Sequence, residues 1–108
     1  MPHRATPHSV AKADFFRTLG HPARVRILEL LRDGERSVGA LQAELDLDSG
    51  GTSQHLAALR RIGLVEGRRA GTSVFYRVTD ESVFDLLEDA RQILDRVARA
   101  RLAELTAE

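Results

Sequence analysis

Cysteine is absent from the 108 residues, and that absence excludes disulfides, thiol redox switching and every thiolate metal site. Long apolar runs are missing too: none approaches the roughly 20 residues needed to span a bilayer. The polar start, Met1 to Arg4, lacks the apolar stretch of a secretory signal, so the expected location is the cytoplasm. Enzyme signatures are equally scarce. There is no Gly-x-Ser-x-Gly turn, phosphate loop or His-Glu-x-x-His pair. Asp85, Glu88, Asp89 and Asp95 spread around one helix as solvating charges rather than forming a catalytic pair. Neither enzymatic activity nor a bound cofactor is expected. Lysine is nearly absent, one among sixteen cations, a bias with no functional reading. An excess of either charge is lacking as well, because sixteen acids balance the sixteen cations.

What is present is a length suited to one domain with a small core, and charge that is unevenly placed. From Ser49 to Val78 stand Arg60, Arg61, Arg68, Arg69 and Arg77 against a single acid, Glu66. The acids gather instead between Glu29 and Asp48 and between Asp80 and Asp95. A local basic stripe on a neutral protein can still bind phosphates, with weaker long-range steering.

The most informative stretch runs from Asp48 to Ile62. Read as a helix, it has one apolar stripe of Leu56, Leu59 and Ile62, extended backwards by Thr52 and His55. The opposite side carries Ser53, Gln54, Ala57, Arg60 and Arg61, small or polar residues ending in two cations. No acid occurs between Ser49 and Ile62, whereas a solvated surface helix more often alternates Glu and Lys. Such a face suits a DNA major groove, and the stretch reads as a recognition helix.

The flanking chain supports this. Residues 1–8, with Pro2 and Pro7, read as a flexible tail. Ser9 is placed to cap a first helix, Val10 to Leu19, carrying Phe15, Phe16 and Leu19 and stopped by Gly20. Pro22 opens a second helix in its favoured first turn. Val25, Ile27, Leu28, Leu30 and Leu31 make that helix mostly buried, with Arg24, Arg26 and Arg32 toward solvent. Ser37 caps a short third helix, Val38 to Leu45, whose Val38, Leu41 and Leu45 point one way. Asp46 to Asp48 form a tight connection with one buried leucine. Two short helices so joined, the second with a polar outer face, make a helix-turn-helix. Gly63 ends the pair. Leu64 to Arg69 and Thr72 to Val78, separated by Ala70 and Gly71, read as a β-hairpin with arginines near its tip. A hairpin directly after a recognition helix is a wing. A last helix, from about Asp80 to Leu105, repeats apolar residues at Val83, Leu87, Ala90, Leu94 and Val97 in steps of four and three. That stripe outruns what so small a domain can cover, and it predicts a second copy of itself as partner. The expected fold is thus mainly α with a small β-hairpin, a winged helix-turn-helix over residues 9–108.

Four segments together resemble the ArsR/SmtB family of winged-helix repressors: LGHPARVRIL (19–28), LDLD (45–48), SQHL (53–56), and GLV (63–65) followed by RRAG (68–71) and VFYR (74–77). The match covers nearly the whole chain. It implies a homodimer packed through the first and last helices, operator binding in the uninduced state, and release on binding an inducer. The family's sensor sites do not carry over. Ser37, Val38 and Gly39 stand where its Cys-Val-Cys thiolate site lies. Asp80, Ser82, Ile93 and Arg96 stand where a four-ligand zinc site lies, leaving one ligand of four, too few to hold the metal.

These readings together predict a sequence-specific regulator of double-stranded DNA, a repressor on an inverted-repeat operator, with no sensor metal. Its expected DNA contacts are Ser49, Gly50, Ser53, Gln54, Ala57, Arg60, Arg61, Arg68, Arg69 and Thr72. Gln54 can pair with adenine through two hydrogen bonds, and Ser53 can serve bases or phosphate. Gly50 and Gly51 replace a pair that bears side chains in the family; they either admit phosphate closely or weaken the first turn. Arg24 and Arg77 could equally serve internal ion pairs. His21 is expected to cap or pack, and His55 to pack inward. The expected dimer surface is Phe15, Phe16, Leu19, Val83, Leu87, Ala90, Leu94 and Val97. Two alternatives stand beside this: a winged helix that docks another protein, and a regulator sensing metal through His3 and His8. Two histidines in a tail are more commonly just tail.

Overall fold

Thr6 starts the first helix: its side chain accepts from the Ser9 amide at 3.0 Å, and α1 runs Pro7–Leu19. The computed structural model describes residues 4–107, so His3 lies outside the described residues. The expected cap at Ser9 is corrected to Thr6, and Pro7 and His8, read as tail, belong to the helix. Proline at the first helical position needs no amide partner, which lets the helix begin at Pro7 and take in His8. Gly20 closes α1, and the Nδ1 of His21 accepts from the Ala23 amide at 3.1 Å to open α2 (Pro22–Leu30). A 3₁₀ turn, Leu31–Asp33, and Gly34 at φ +125° then lead into β1 (Arg36–Ser37).

That strand has no counterpart in the sequence reading, which holds only a two-stranded wing. Arg36 and Ser37 pair antiparallel with Tyr76 and Phe75, making a three-stranded sheet ordered β1-β3-β2. Two residues carry no periodicity of their own, so only their distant partners define the strand.

Ser37 also accepts from the Ala40 amide at 3.1 Å, capping α3 (Val38–Leu45) as expected. Asp46 takes the left-handed conformation at φ 53°, Leu47 is half-buried, and Asp48 caps α4 (Ser49–Arg61). The helix-turn-helix is therefore α3 and α4, joined by three residues. Gly63 at φ +81° breaks α4 away toward β2 (Val65–Ala70), which pairs in register with β3 (Ser73–Val78), Ala70 opposite Ser73. Gly71, at φ +63°, supplies the positive dihedral that a two-residue hairpin turn demands. Asp80 accepts from the Ser82 amide at 2.9 Å, and α5 runs Ser82–Thr106.

The core gathers Leu19 from α1, Ile27, Leu28 and Leu30 from α2, Leu31, Leu41 from α3 and Leu56 and Leu59 from α4. Leu64, Val65, Tyr76 and Val83 close it. Each fully buried aliphatic side chain contributes about 1.5–3 kcal/mol, so α4 is held mainly by its inward leucines. Leu19 and Val83, expected at a dimer surface, are core residues, 7 % and 4 % exposed. Phe15 and Leu87 are half-buried against the same core. By contrast Phe16, Leu94 and Val97 are 55 %, 67 % and 42 % exposed, and every described residue from Asp89 to Ala107 is exposed.

Candidate nucleic-acid interface

The two sides of α4 separate as its spacing requires. Thr52, Leu56 and Leu59 are buried at 0–1 % exposure, and His55 is half-buried. Ser49, Gly50, Ser53, Gln54, Ala57, Arg60 and Arg61 are all exposed. The outward row is thus exposed, made of small or polar residues, and free of acids.

Its N-terminus is tightly made. Asp48 Oδ1 accepts from the Gly51 amide at 2.6 Å, and Thr52 Oγ1 donates to the Asp48 carbonyl at 3.0 Å. A Cβ on Gly51 would lie 3.0 Å from that same carboxylate oxygen, so glycine is what lets the cap close so near the backbone. A Cβ on Gly50 would meet nothing nearer than 3.8 Å. The two glycines therefore differ: 51 serves the cap, and 50 leaves bare backbone at the helix start.

Not every expected cation is available. The Arg61 guanidinium turns back to Asp14 Oδ2 at 3.3 Å, on α1. Together with Arg17 it holds the Asp14 carboxyl below the ordinary carboxylate range. Arg68 Nε sits 3.0 Å and 2.9 Å from the two oxygens of Glu35, and its guanidinium lies 5.0 Å over the Phe75 ring. That forked hydrogen bond lowers the Glu35 carboxyl and raises the guanidinium. Arg77 pairs with Glu66, its direct neighbour across the hairpin. Arg24, expected toward solvent, donates instead to His55 Nδ1 at 3.2 Å. Among the described residues Arg60 and Arg69 have no acid within salt-bridge distance.

Strand alternation explains why Arg68 and Arg69 differ. Val65, Gly67 and Arg69 share one face of β2, and Glu66 and Arg68 the other. The first face enters the core at Val65, passes Tyr76 opposite Gly67, and emerges at Arg69 beyond the core's edge. Gly67 carries no side chain because a Cβ there would stand 3.1 Å from the Tyr76 ring. Arg69 and the exposed Thr72 thus form the unencumbered wing tip, while Arg68 braces the wing against the loop before β1.

Positions matching the family's sensor sites have other structural roles. Ser37 caps α3, Asp80 accepts from the Ser82 amide in the turn before α5, and Ile93 and Arg96 are exposed. Among the described residues no three His, Asp or Glu side chains converge as a metal site, and no helix is long and apolar enough to cross a membrane.

A helix-turn-helix domain family matches residues 19–68. An uncharacterized HTH-type transcriptional regulator of Mycobacterium tuberculosis, Rv0081, is 47 % identical over 95 residues, 87 % of this chain and 83 % of that protein. Its crystal structure superposes with a TM-score of 0.83 at 45 % identity, over 92 % of this chain and all of that one. A biofilm growth-associated repressor of Agrobacterium fabrum is 39 % identical over 88 residues, 82 % of this chain and 72 % of its own length. The homodimeric winged helix-turn-helix DNA-binding domain Mb0332 of Mycobacterium bovis, described as a possible ArsR-family regulator, has a TM-score of 0.72. It is 32 % identical, over 88 % of this chain and 91 % of that one. With the cap, turn and wing geometry above, these likenesses make the chain a member of the ArsR/SmtB family of winged helix-turn-helix transcriptional regulators.

Proposed function

We propose that the protein is a cytoplasmic, homodimeric transcriptional repressor that reads an inverted-repeat DNA operator and performs no catalysis. The observation that carries the reading is the outward row of α4: exposed, polar, acid-free and held rigid by buried Thr52, Leu56 and Leu59. Each protomer lays that row in a major groove. Gln54 and Ser53 meet base edges, Ser49, Gly50 and Arg60 meet bases or backbone, and Ala57 allows close approach. Arg69 and Thr72 reach the flanking backbone or minor groove from the wing.

Dimerisation follows from exposed apolar surface that the protomer leaves uncovered. Phe16 on α1 and Ala90, Leu94 and Val97 on α5 face solvent, and Leu87, Ala90 and Leu94 line a groove of about 500 Å³ against Val25 of α2. A second copy packing its own α1 and α5 there removes this surface from water. Two-fold symmetry then places the two reading helices about 34 Å apart, or a multiple of that, along one face of the duplex. The homodimeric form of the Mycobacterium bovis relative supports pairing of two copies.

The test is selection of random duplexes by the full chain, followed by binding of Gln54→Ala to the selected sequence. An enriched inverted repeat is expected, and the variant loses preference at one position in each half-site, by about 1–3 kcal/mol. A chain that enriches no sequence yet captures a defined protein would favour the protein-docking alternative.

A further inference from the structure

Thr18, near the end of α1, is 2 % exposed, and side chains from two other helices converge on it. Its Oγ1 donates to the Asp14 carbonyl at 2.9 Å and accepts from Arg61 Nη2 at 3.1 Å. Its own carbonyl accepts from Arg24 Nη1 at 3.1 Å. Arg24 continues through Nε to His55, and Arg61 continues through Nη1 to Asp14. Two points on α4, His55 and Arg61, are thereby fastened to the last turns of α1, one through an arginine of α2 and one directly.

Six residues along a helix separate those points by about 9 Å. Two attachments at that spacing restrain the rotation and tilt of α4. Apolar contacts alone tolerate some sliding, whereas hydrogen bonds weaken steeply when misaligned. In the functional reading above, α1 belongs to the dimer surface and α4 to the DNA surface. The joint therefore transmits the geometry of the two-fold axis to the reading helix.

Resting on that DNA-binding reading, we infer that Asp14, Thr18, Arg24 and Arg61 are positioning residues that set the angle of α4 to the dimer helix. Arg61 acts through α1 and not as a phosphate contact. The acid on Arg61 makes the two roles opposite in sign. If Arg61 bound phosphate, Asp14 would be a competitor, and removing it would free a cation. Binding would tighten and its salt dependence would steepen. If the pair positions α4, removing either partner loosens the helix, and binding weakens with the salt dependence unchanged.

The experiment measures affinity of the full chain for its selected duplex across a salt series, for the parent, Asp14→Asn, Arg61→Ala, Thr18→Val and the Asp14→Asn/Arg61→Ala double variant. Thermal denaturation of each confirms folding. Because the Asp14–Arg61 pair is solvent-exposed, 37 % and 59 %, the two single variants that break it keep the fold and weaken binding about three- to five-fold. The double variant is no weaker than Arg61→Ala alone, since the two residues act as one unit. Duplexes with half-sites moved apart by one base pair distinguish parent from variant: the parent rejects them more strongly. Tighter binding by Asp14→Asn, or a salt slope lowered by about one in Arg61→Ala, overturns the inference while leaving the DNA reading intact. A parent chain that selects no duplex removes both.

Discussion

His55 is a single residue on which three helices depend, and its protonation is costly for a geometric reason. Nδ1 accepts from Arg24, so the neutral ring carries its proton on Nε2, and the His21 ring stands 4.3 Å away. Charging the ring would end that hydrogen bond and set a second cation against the Arg24 guanidinium. Burial, then His21, then Arg24 hold its pKa below the ordinary histidine value. A histidine depressed in the folded state is protonated first in the unfolded state. Its contribution is thus present above the unfolded pKa of about 6.5 and lost as pH falls through the folded value. Thermal stability should decline as the solution is acidified below about pH 6.5, and His55→Leu should remove that component. The carboxylates held low, Asp14, Glu35 and Asp80, give up their contributions only nearer pH 4 and below, about two units further down. A melting profile flat from neutrality to about pH 5 would contradict this account of the histidine.

At the scale of the element, the wing shows how two adjacent arginines acquire different work. Arg68 is locked to Glu35 and laid over Phe75, while Arg69 emerges beyond the core on the opposite face. Arg69→Ala should weaken binding to all duplexes alike and lower the salt slope by about one, as loss of a phosphate contact requires. Arg68→Ala should leave the slope near its parent value and instead loosen the wing, detected as faster amide exchange in β2 and β3. Equal slope changes in the two variants would sink the distinction. None of this was legible locally. The two arginines are neighbours of one type, and the acid that separates their roles lies on a loop 33 residues away. The strand beside that loop, β1, was invisible for the same reason.

The whole molecule is elongated, 62 × 37 × 24 Å with a radius of gyration of 17.2 Å. A compact chain of this length has about 13 Å. The excess is α5, a 25-residue helix about 37 Å long whose residues from Asp89 onward are all exposed. Such surface is stable in water when a partner shares it. Leu94→Asp should shift the protein from dimer to monomer in sedimentation equilibrium, with loss of cooperative operator binding and little change in the protomer's own fold. A variant that remains dimeric at the parent's concentration would place the interface elsewhere.

Spacing along the chain determined the elements and their inward faces. The stripe through Leu56 and Leu59, the cap at Ser37, and the glycines at 63 and 71 are local chemistry, readable residue by residue. The expected first cap failed by three residues because Pro7 suits a helix start as well as Ser9 suits a cap. Tertiary structure decided which cations are engaged and which apolar residues are surface. Arg61 finds Asp14 47 residues away, and Leu19 and Val83 sink into the core while Leu94 does not. Periodicity assigns a side chain to a face, but whether an acid or a leucine from elsewhere meets it depends on helices brought together only by folding.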